Sequence, residues 1–149
     1  MRALIRGPHS LNGQVTADLP STGPSSAFLA LRFLSELLRL EPLLRRHDFG
    51  SIYDKVRHYP VAKMPVFPYA TETICSAYDL ASIWYWKPVL CLQRSAATVL
   101  VLRAHGVPAH LVIGAQLMPF KAHAWVEVAD RIVNDKPDMR EIYSVLDTL

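Results

Sequence analysis

The stretch CLQRSAATVLVLRAHGVP, residues 91–108, limits what this chain can fold into more than any other. From Ala96 to Leu102 it is apolar nearly all round, and a helix of that kind is stable only when other elements cover it. From Cys91 to His105 it has the length of about four helical turns. Gly106 stands where a C′ glycine belongs and Pro108 follows, a good helix stop. Arg103 and His105 lie in the last turn, where positive charge suits the helix dipole. The period of the pattern then changes. AHLVIGAQL, AHAWVEV and RIVND read as antiparallel strands, with Met118-Pro119-Phe120 turning between the first two. Within the second, Ala122, Ala124, Val126 and Val128 share one face, and His123, Trp125 and Glu127 share the other.

Helices precede the buried one. From Ser25 onward the chain reads FLALRFLSELLRLEPLLRR, with apolar residues at Phe28, Leu31, Leu34, Leu37 and Leu38 near helical spacing. Ser25 or Ser26 is a plausible N-cap. Pro42 is expected to end or kink this helix, because it lacks an N–H and clashes with the preceding turn. A short helix is expected over Ile52 to Val56, then a loop punctuated by Pro60, Pro65 and Pro68. TETICSAYDLASIWYW, residues 71–86, reads as a third helix capped by Thr71 or Thr73, with Ile74, Ala77, Tyr78, Ala81 and Trp84 or Tyr85 inward. Met139 to Val145 reads as a short terminal helix. Residues 1–24, rich in Gly and Pro, read as an arm or loop with a short strand near Gln14 to Ala17. Helices first, then a central helix, then a small antiparallel sheet make an α+β fold.

The 149 residues suit one domain, with a helical part at 25–86 and a core at 91–135. Apolar residues make up 51% and charged residues 19%, a globular balance that excludes a disordered chain. The net charge of +3 comes without a long Lys/Arg run, so no nucleic-acid partner is expected, although a basic face could meet an acidic peptide. Two cysteines fit a reducing compartment better than a disulfide scaffold. MRALIRGPHSLNGQ has no run long enough for a signal peptide. Arg32, Glu36 and Arg39 interrupt the most apolar N-terminal segment, so no membrane span is expected. We expect a cytoplasmic protein.

A cysteine nucleophile needs surroundings that favour thiolate, a base within reach and a group that orients the base. Cys91 opens the buried helix, where unpaired N–H groups and the positive dipole end favour an anion. His123, on a strand crossing that helix, could share the thiol proton, and an acid in the next strand could hold the imidazole by its other nitrogen. Asp135 and Asn134 both qualify by residue type. Strand neighbours point to opposite faces, so only one of them can serve. The bland alternative is a packed cysteine and a structural strand histidine.

The residues CLQRSAA, AHGVPAHLVIGA, PFKAHAWVEV and VND, spanning about Trp84 to Asp135, resemble the transglutaminase-like leader peptidases of lasso-peptide biosynthesis, the B-type proteins of microcin J-type clusters. The resemblance includes the Arg94-Ser95 pair, Val112-Ile113-Gly114, Pro119-Phe120, Ala-His-Ala-Trp-Val-Glu and Asn134-Asp135. It implies a papain/transglutaminase-like α+β domain and a protease triad of Cys91, His123 and Asp135, with Asn134 left to satisfy backbone groups in the turn. It implies a precursor peptide as substrate, a lasso cyclase as the next enzyme, and no cofactor. Some relatives carry a leader-recognition domain at the N-terminus. There is no room for one before the first helix here, so the stand-alone form is expected, working with a separate leader-recognition protein. For the oxyanion, the backbone N–H of Cys91 and Gln93 are the candidate donors. Trp125 and Phe120 are candidate walls of the substrate site, with plain core packing an equal reading of Trp125.

Other residues carry blander expectations. Cys75 lies mid-helix and reads as a packed thiol. His105 and His110 read as capping and surface residues, and Glu127 as a rim charge. No metal site is expected, since Cys91, His105, His110 and His123 lack CxxC or HxxxH spacing. The leucine surplus of the first helix is a core feature that could also dock a partner. Two rival functions share these residues: an acyl or amide transferase of transglutaminase or arylamine N-acetyltransferase type, and a non-catalytic scaffold that binds the precursor.

Overall fold

A computed structural model describes residues 24–63 and 70–149. The expected arm, its strand near Gln14 to Ala17, and the Pro65 and Pro68 loop lie outside the described residues. The described chain runs α1 (Pro24–Arg45), α2 (Phe49–His58), α3 (Thr71–Trp84), α4 (Cys91–Ala104), β1 (Ala109–Gln116), β2 (Lys121–Val128), β3 (Arg131–Ile132), α5 (Met139–Ile142) and β4 (Ser144–Thr148). The antiparallel sheet has the order β3-β2-β1-β4.

α4 is the centre, as its composition requires. Ala96, Ala97, Val99, Leu100, Val101 and Leu102 are all fully buried. α1 packs on one part of its surface and β1 and β2 on another, with α2 and α3 also in contact. Gly106 adopts a φ of 80°, the left-handed conformation that stops the helix. Arg103 is buried and does more than answer the dipole. Its Nε donates to Ala109 O at 2.8 Å, its Nη1 to Val56 O at 2.5 Å and Tyr59 O at 3.2 Å, and its Nη2 to Leu149 O at 3.1 Å. One guanidinium thus ties α4 to the end of α2, the start of β1 and the residue after β4.

Several helical expectations are corrected. α1 passes through Pro42 and ends at Arg45, so of the two outcomes expected there the proline does not end the helix. So close to the helix end, the missing N–H forfeits one hydrogen bond, while buried Leu40 and Leu44 hold the last turn. Pro24 opens the helix, so Ser25 and Ser26 fall in its first turn rather than at the cap. The buried stripe is Leu29, Ala30, Phe33, Leu37, Leu40 and Leu44, whereas Phe28, Leu31 and Leu38 lie outside it. In a helix this rich in leucine two stripes compete. Glu36 settles the phase with Lys55 of α2, and Glu41 with Tyr85 and Lys87 beyond α3. α2 begins at an Asp48 cap whose carboxylate accepts from Ser51 N at 3.1 Å. α3 starts after Ala70 with no side-chain cap, and Tyr85 rather than Trp84 is its buried aromatic.

The sheet also differs at its edges. β3 is two residues long, so Asn134 and Asp135 lie beyond it and are freed from strand alternation. The turn between β2 and β3 places Ala129 and Asp130 at φ values of 47° and 60°, the doubly left-handed geometry of a two-residue hairpin. The terminal helix is one turn, and Ser144–Thr148 pairs with β1 as a strand. Its side chains are all exposed, so no alternating pattern announced it.

Candidate active site

The two faces of β2 divide as expected. Ala124 and Val126 pack toward the helices. Trp125 packs on the other face with Val112 and Met139, and with partly buried Ile132 and Tyr143. Trp125 is fully buried and its Nε1 donates to Glu127 Oε1 at 2.8 Å. It is a core residue behind His123 and not a wall that substrate could touch. Glu127, expected at the rim, is buried as well. Arg140 donates to both its oxygens, at 2.7 and 2.6 Å. Those bonds, led by the Arg140 contact, overcome burial and hold its carboxyl below the usual range.

His123 stands at the margin of this face with Gly114 as its cross-strand partner. Its ring stacks on Tyr143, centroids 5.3 Å apart, and lies 6.4 Å from the indole of Trp125. A Cβ on Gly114 would stand within 3 Å of both Trp125 and Tyr143. The glycine makes the room in which the two aromatics support the imidazole.

His123 Nε2 lies 2.8 Å from Asp135 Oδ2. Burial pushes the Asp135 carboxyl up, but the His123 bond, the Lys136 backbone N–H and the Arg94 charge outweigh it and leave the group below its ordinary range. An ionised carboxylate only accepts, so Nε2–H donates to it and Nδ1 is the ring nitrogen that Asp135 does not engage. Arg94 Nη2 binds the same Oδ2 at 2.5 Å, and the Lys136 N–H binds Oδ1 at 2.9 Å.

Asn134 takes another role. Its Oδ1 accepts from Val126 N at 2.7 Å and its Nδ2 donates to Ser95 Oγ at 2.9 Å, which in turn donates to Ala124 O at 2.8 Å. The adjacent pairs Arg94-Ser95 and Asn134-Asp135 therefore join α4 to the segment after β3 by two parallel links.

Cys91 is the first residue of α4, partly exposed, and no side chain caps the helix there. It precedes Arg94 by three residues, which puts both on one helix face. Among the described residues its thiol is not hydrogen-bonded to His123. The Gln93 side chain, a candidate oxyanion donor, turns the other way. It is fully buried, with Nε2 donating to Leu37 O at 3.0 Å and Tyr85 Oη at 2.9 Å. Phe120 is exposed at the β1–β2 hairpin beside Leu117 and Met118.

Cys75 lines a cavity of about 350 Å³ that α3 forms with Arg94, Asn134 and Asp135. Burial, then the charges of Glu72 and Asp79, pushes its thiol up to about 11, so it is protonated and inert at neutral pH. His105 caps α4 and His110 is exposed on β1. Among the described residues no group of three His, Cys, Asp or Glu could hold a metal ion, and no helix is long and apolar enough to cross a membrane.

Arg94 and Tyr143 escaped sequence reasoning as site residues. Arg94 had a usable signal, its place one turn after Cys91. Tyr143 had none, because it reaches His123 from a segment twenty residues on, through a helix and strand the pattern did not separate.

Known proteins resemble part or most of this chain. The chain is 45% identical over 56 residues to the microcin J25-processing protein McjB of Escherichia coli, a match that covers 38% of this chain and 27% of that one. No solved structure matches it significantly. Residues 27–148 match the model of the transglutaminase-like superfamily, which takes in α1 through β4, and the chain belongs to that family.

Proposed function

We propose that this protein is a cysteine peptidase that cuts the leader from a lasso-peptide precursor through Cys91, His123 and Asp135. The observation that carries the reading is the 2.8 Å bond from His123 Nε2 to an ionised Asp135, which leaves Nδ1 to serve a thiol. The similarity to a microcin-processing protein supports the substrate class.

In this mechanism the Cys91 thiolate attacks the carbonyl carbon at the leader–core junction, and the electron pair moves to the oxygen. Backbone N–H groups of the uncapped first turn of α4, that of Cys91 first, meet the oxyanion. The imidazolium of His123 gives its Nδ1 proton to the leaving amine of the core peptide, and the leader remains as a thioester. Water, deprotonated by His123, then hydrolyses the thioester to a free leader acid and restores the thiol. Asp135 stays ionised throughout and stabilises the imidazolium. The released core amine is the nucleophile a macrolactam-forming cyclase needs. A separate protein that binds the leader would deliver the precursor, and reaction in the cytoplasm would keep the thiol reduced.

Incubation of the chain with a precursor and a leader-binding protein, read by mass spectrometry, tests this. The expected products are a free leader acid and an intact core. Cys91→Ala, folded, should cut nothing; cleavage by that variant would refute the assignment. Transfer of the leader acyl group to an amine would instead identify a transferase.

A further inference from the structure

We propose that Arg94 is a positioning residue for this relay, locking the Asp135 carboxylate so that one oxygen, Oδ2, always faces His123. The proposal rests on the peptidase reading for its purpose, but its geometry stands independently. Asp135 Oδ2 receives Arg94 Nη2 and His123 Nε2 together, while Oδ1 is held by the Lys136 N–H. With a cation on one side and a backbone donor on the other, the carboxylate cannot rotate without breaking all three bonds. The imidazole that it anchors is then held in plane between Asp135 and the Tyr143 ring.

A second observation separates this role from plain stabilisation. Arg94 Nε is buried and has no hydrogen-bond partner among the described residues. A buried unpartnered donor costs stability. A residue kept only to hold α4 against the segment after β3 would be poorly chosen, since Ser95 and Asn134 already make that link one position away. What Arg94 adds is charge and direction at Asp135.

The groups that face this pair are few. His123 approaches from β2, Cys91 shares α4, and Lys136 follows Asp135. Across the cavity stand Asp79, Tyr78 and Cys75 of α3. Asp79 would oppose ionisation of Asp135 once the guanidinium is gone.

The experiment uses the full chain with Arg94→Gln and Arg94→Lys. Carboxyl-carbon NMR follows the titration of Asp135 in a Cys91→Ala background, where no cleavage is needed. In Arg94→Gln, Asp135 should titrate about one pH unit higher than in the parent, whereas Arg94→Lys should stay near the parent. In the active background, Arg94→Gln should lose on the order of 10-fold to 100-fold in kcat with KM little changed. The acid limb of its pH profile should move up, and Arg94→Lys should recover most of the rate. An unmoved Asp135 titration overturns the proposal. So does a chain that fails to fold with Gln at position 94 but folds with Lys, since Arg94 would then be a structural tie. If the parent cuts no precursor, the proposed function falls while the NMR measurement still decides whether Arg94 governs Asp135.

Discussion

Gly114→Ala is the smallest change that reaches the His123 support through packing alone. A Cβ at this position would stand 2.8 Å from Trp125 Cη2, 2.9 Å from Trp125 Cζ3 and 2.9 Å from Tyr143 Cβ. Carbon atoms in good contact keep about 3.5–4.0 Å, so three overlaps of roughly 0.6–1.2 Å arise at once. None of the neighbours can swing clear. Trp125 is fully buried and pinned through Nε1 to Glu127, and the Tyr143 atom is beside its own backbone. Gly114 is not left-handed, so no conformational strain adds to the steric cost. Overpacking costs about 1–3 kcal/mol, and three simultaneous overlaps with no neighbour free to yield put this site in the upper part, at about 2–3 kcal/mol. Alanine also restricts the unfolded chain, which returns about 0.4–1 kcal/mol. The net expectation is a loss of about 1–2 kcal/mol, or roughly 2–8 °C in Tm for a domain of this size. Urea unfolding followed by tryptophan fluorescence measures it. The rate of the proposed cleavage should fall as well, because the displaced rings are those behind His123. In a Trp125→Phe background the same substitution should cost at least about 0.5 kcal/mol less, since the far edge of the indole is gone. Unfolding of Gly114→Ala within about 0.5 kcal/mol of the parent would refute the reasoning.

Two further outcomes follow from the folded chain. Lys87, then Tyr85 and Arg45, hold the buried Glu41 carboxyl down from the ordinary 4.5 to about 2. A group lowered on folding stabilises the native state fully above its unfolded value. Acid unfolding should therefore show a loss on the order of 1–2 kcal/mol as pH falls from about 4.5 to 2, smaller for Glu41→Gln, because partly exposed partners are screened. Ala129 carries a φ of 47°, a conformation that costs an L-residue with a Cβ about 1–2 kcal/mol. Ala129→Asn should raise stability by roughly 0.5–1 kcal/mol in urea unfolding, and a loss of stability there would contradict the left-handed turn.

The sequence was most legible where one residue type in one pattern has a single physical solution. An all-round apolar run closed by Gly106 and Pro108 can only be a buried helix, and AHAWVEV can only alternate. His123 beside Asp135 was legible through the family resemblance, which also chose Asp135 over Asn134. The reason offered from strand alternation was not the operative one, because β3 ends at Ile132 and both residues sit in a bend. The misreadings have a common cause. Charged and amide side chains buried with partners look like surface residues in a sequence. Glu127 finds Arg140, Gln93 finds Leu37 and Tyr85, and Arg103 finds four carbonyls, all partners distant in the chain or on another element. β4 was missed for the opposite reason, since an exposed edge strand held chiefly by backbone pairing with β1 needs no apolar pattern.

The doubled link between Arg94-Ser95 and Asn134-Asp135 has a bearing on how this molecule tolerates insertions and deletions. The left-handed turn at Ala129 and Asp130 works as a length gauge. One residue added or removed there would carry Asn134 away from Ser95 and Asp135 away from His123 in the same stroke. The hairpin between β1 and β2 has no such bond to Asn134 or Asp135, and its tip residues Leu117, Met118 and Phe120 are exposed. Of two neighbouring hairpins in one sheet, one can be lengthened, tagged or grafted, and the other sets the spacing of two links to the rest of the fold.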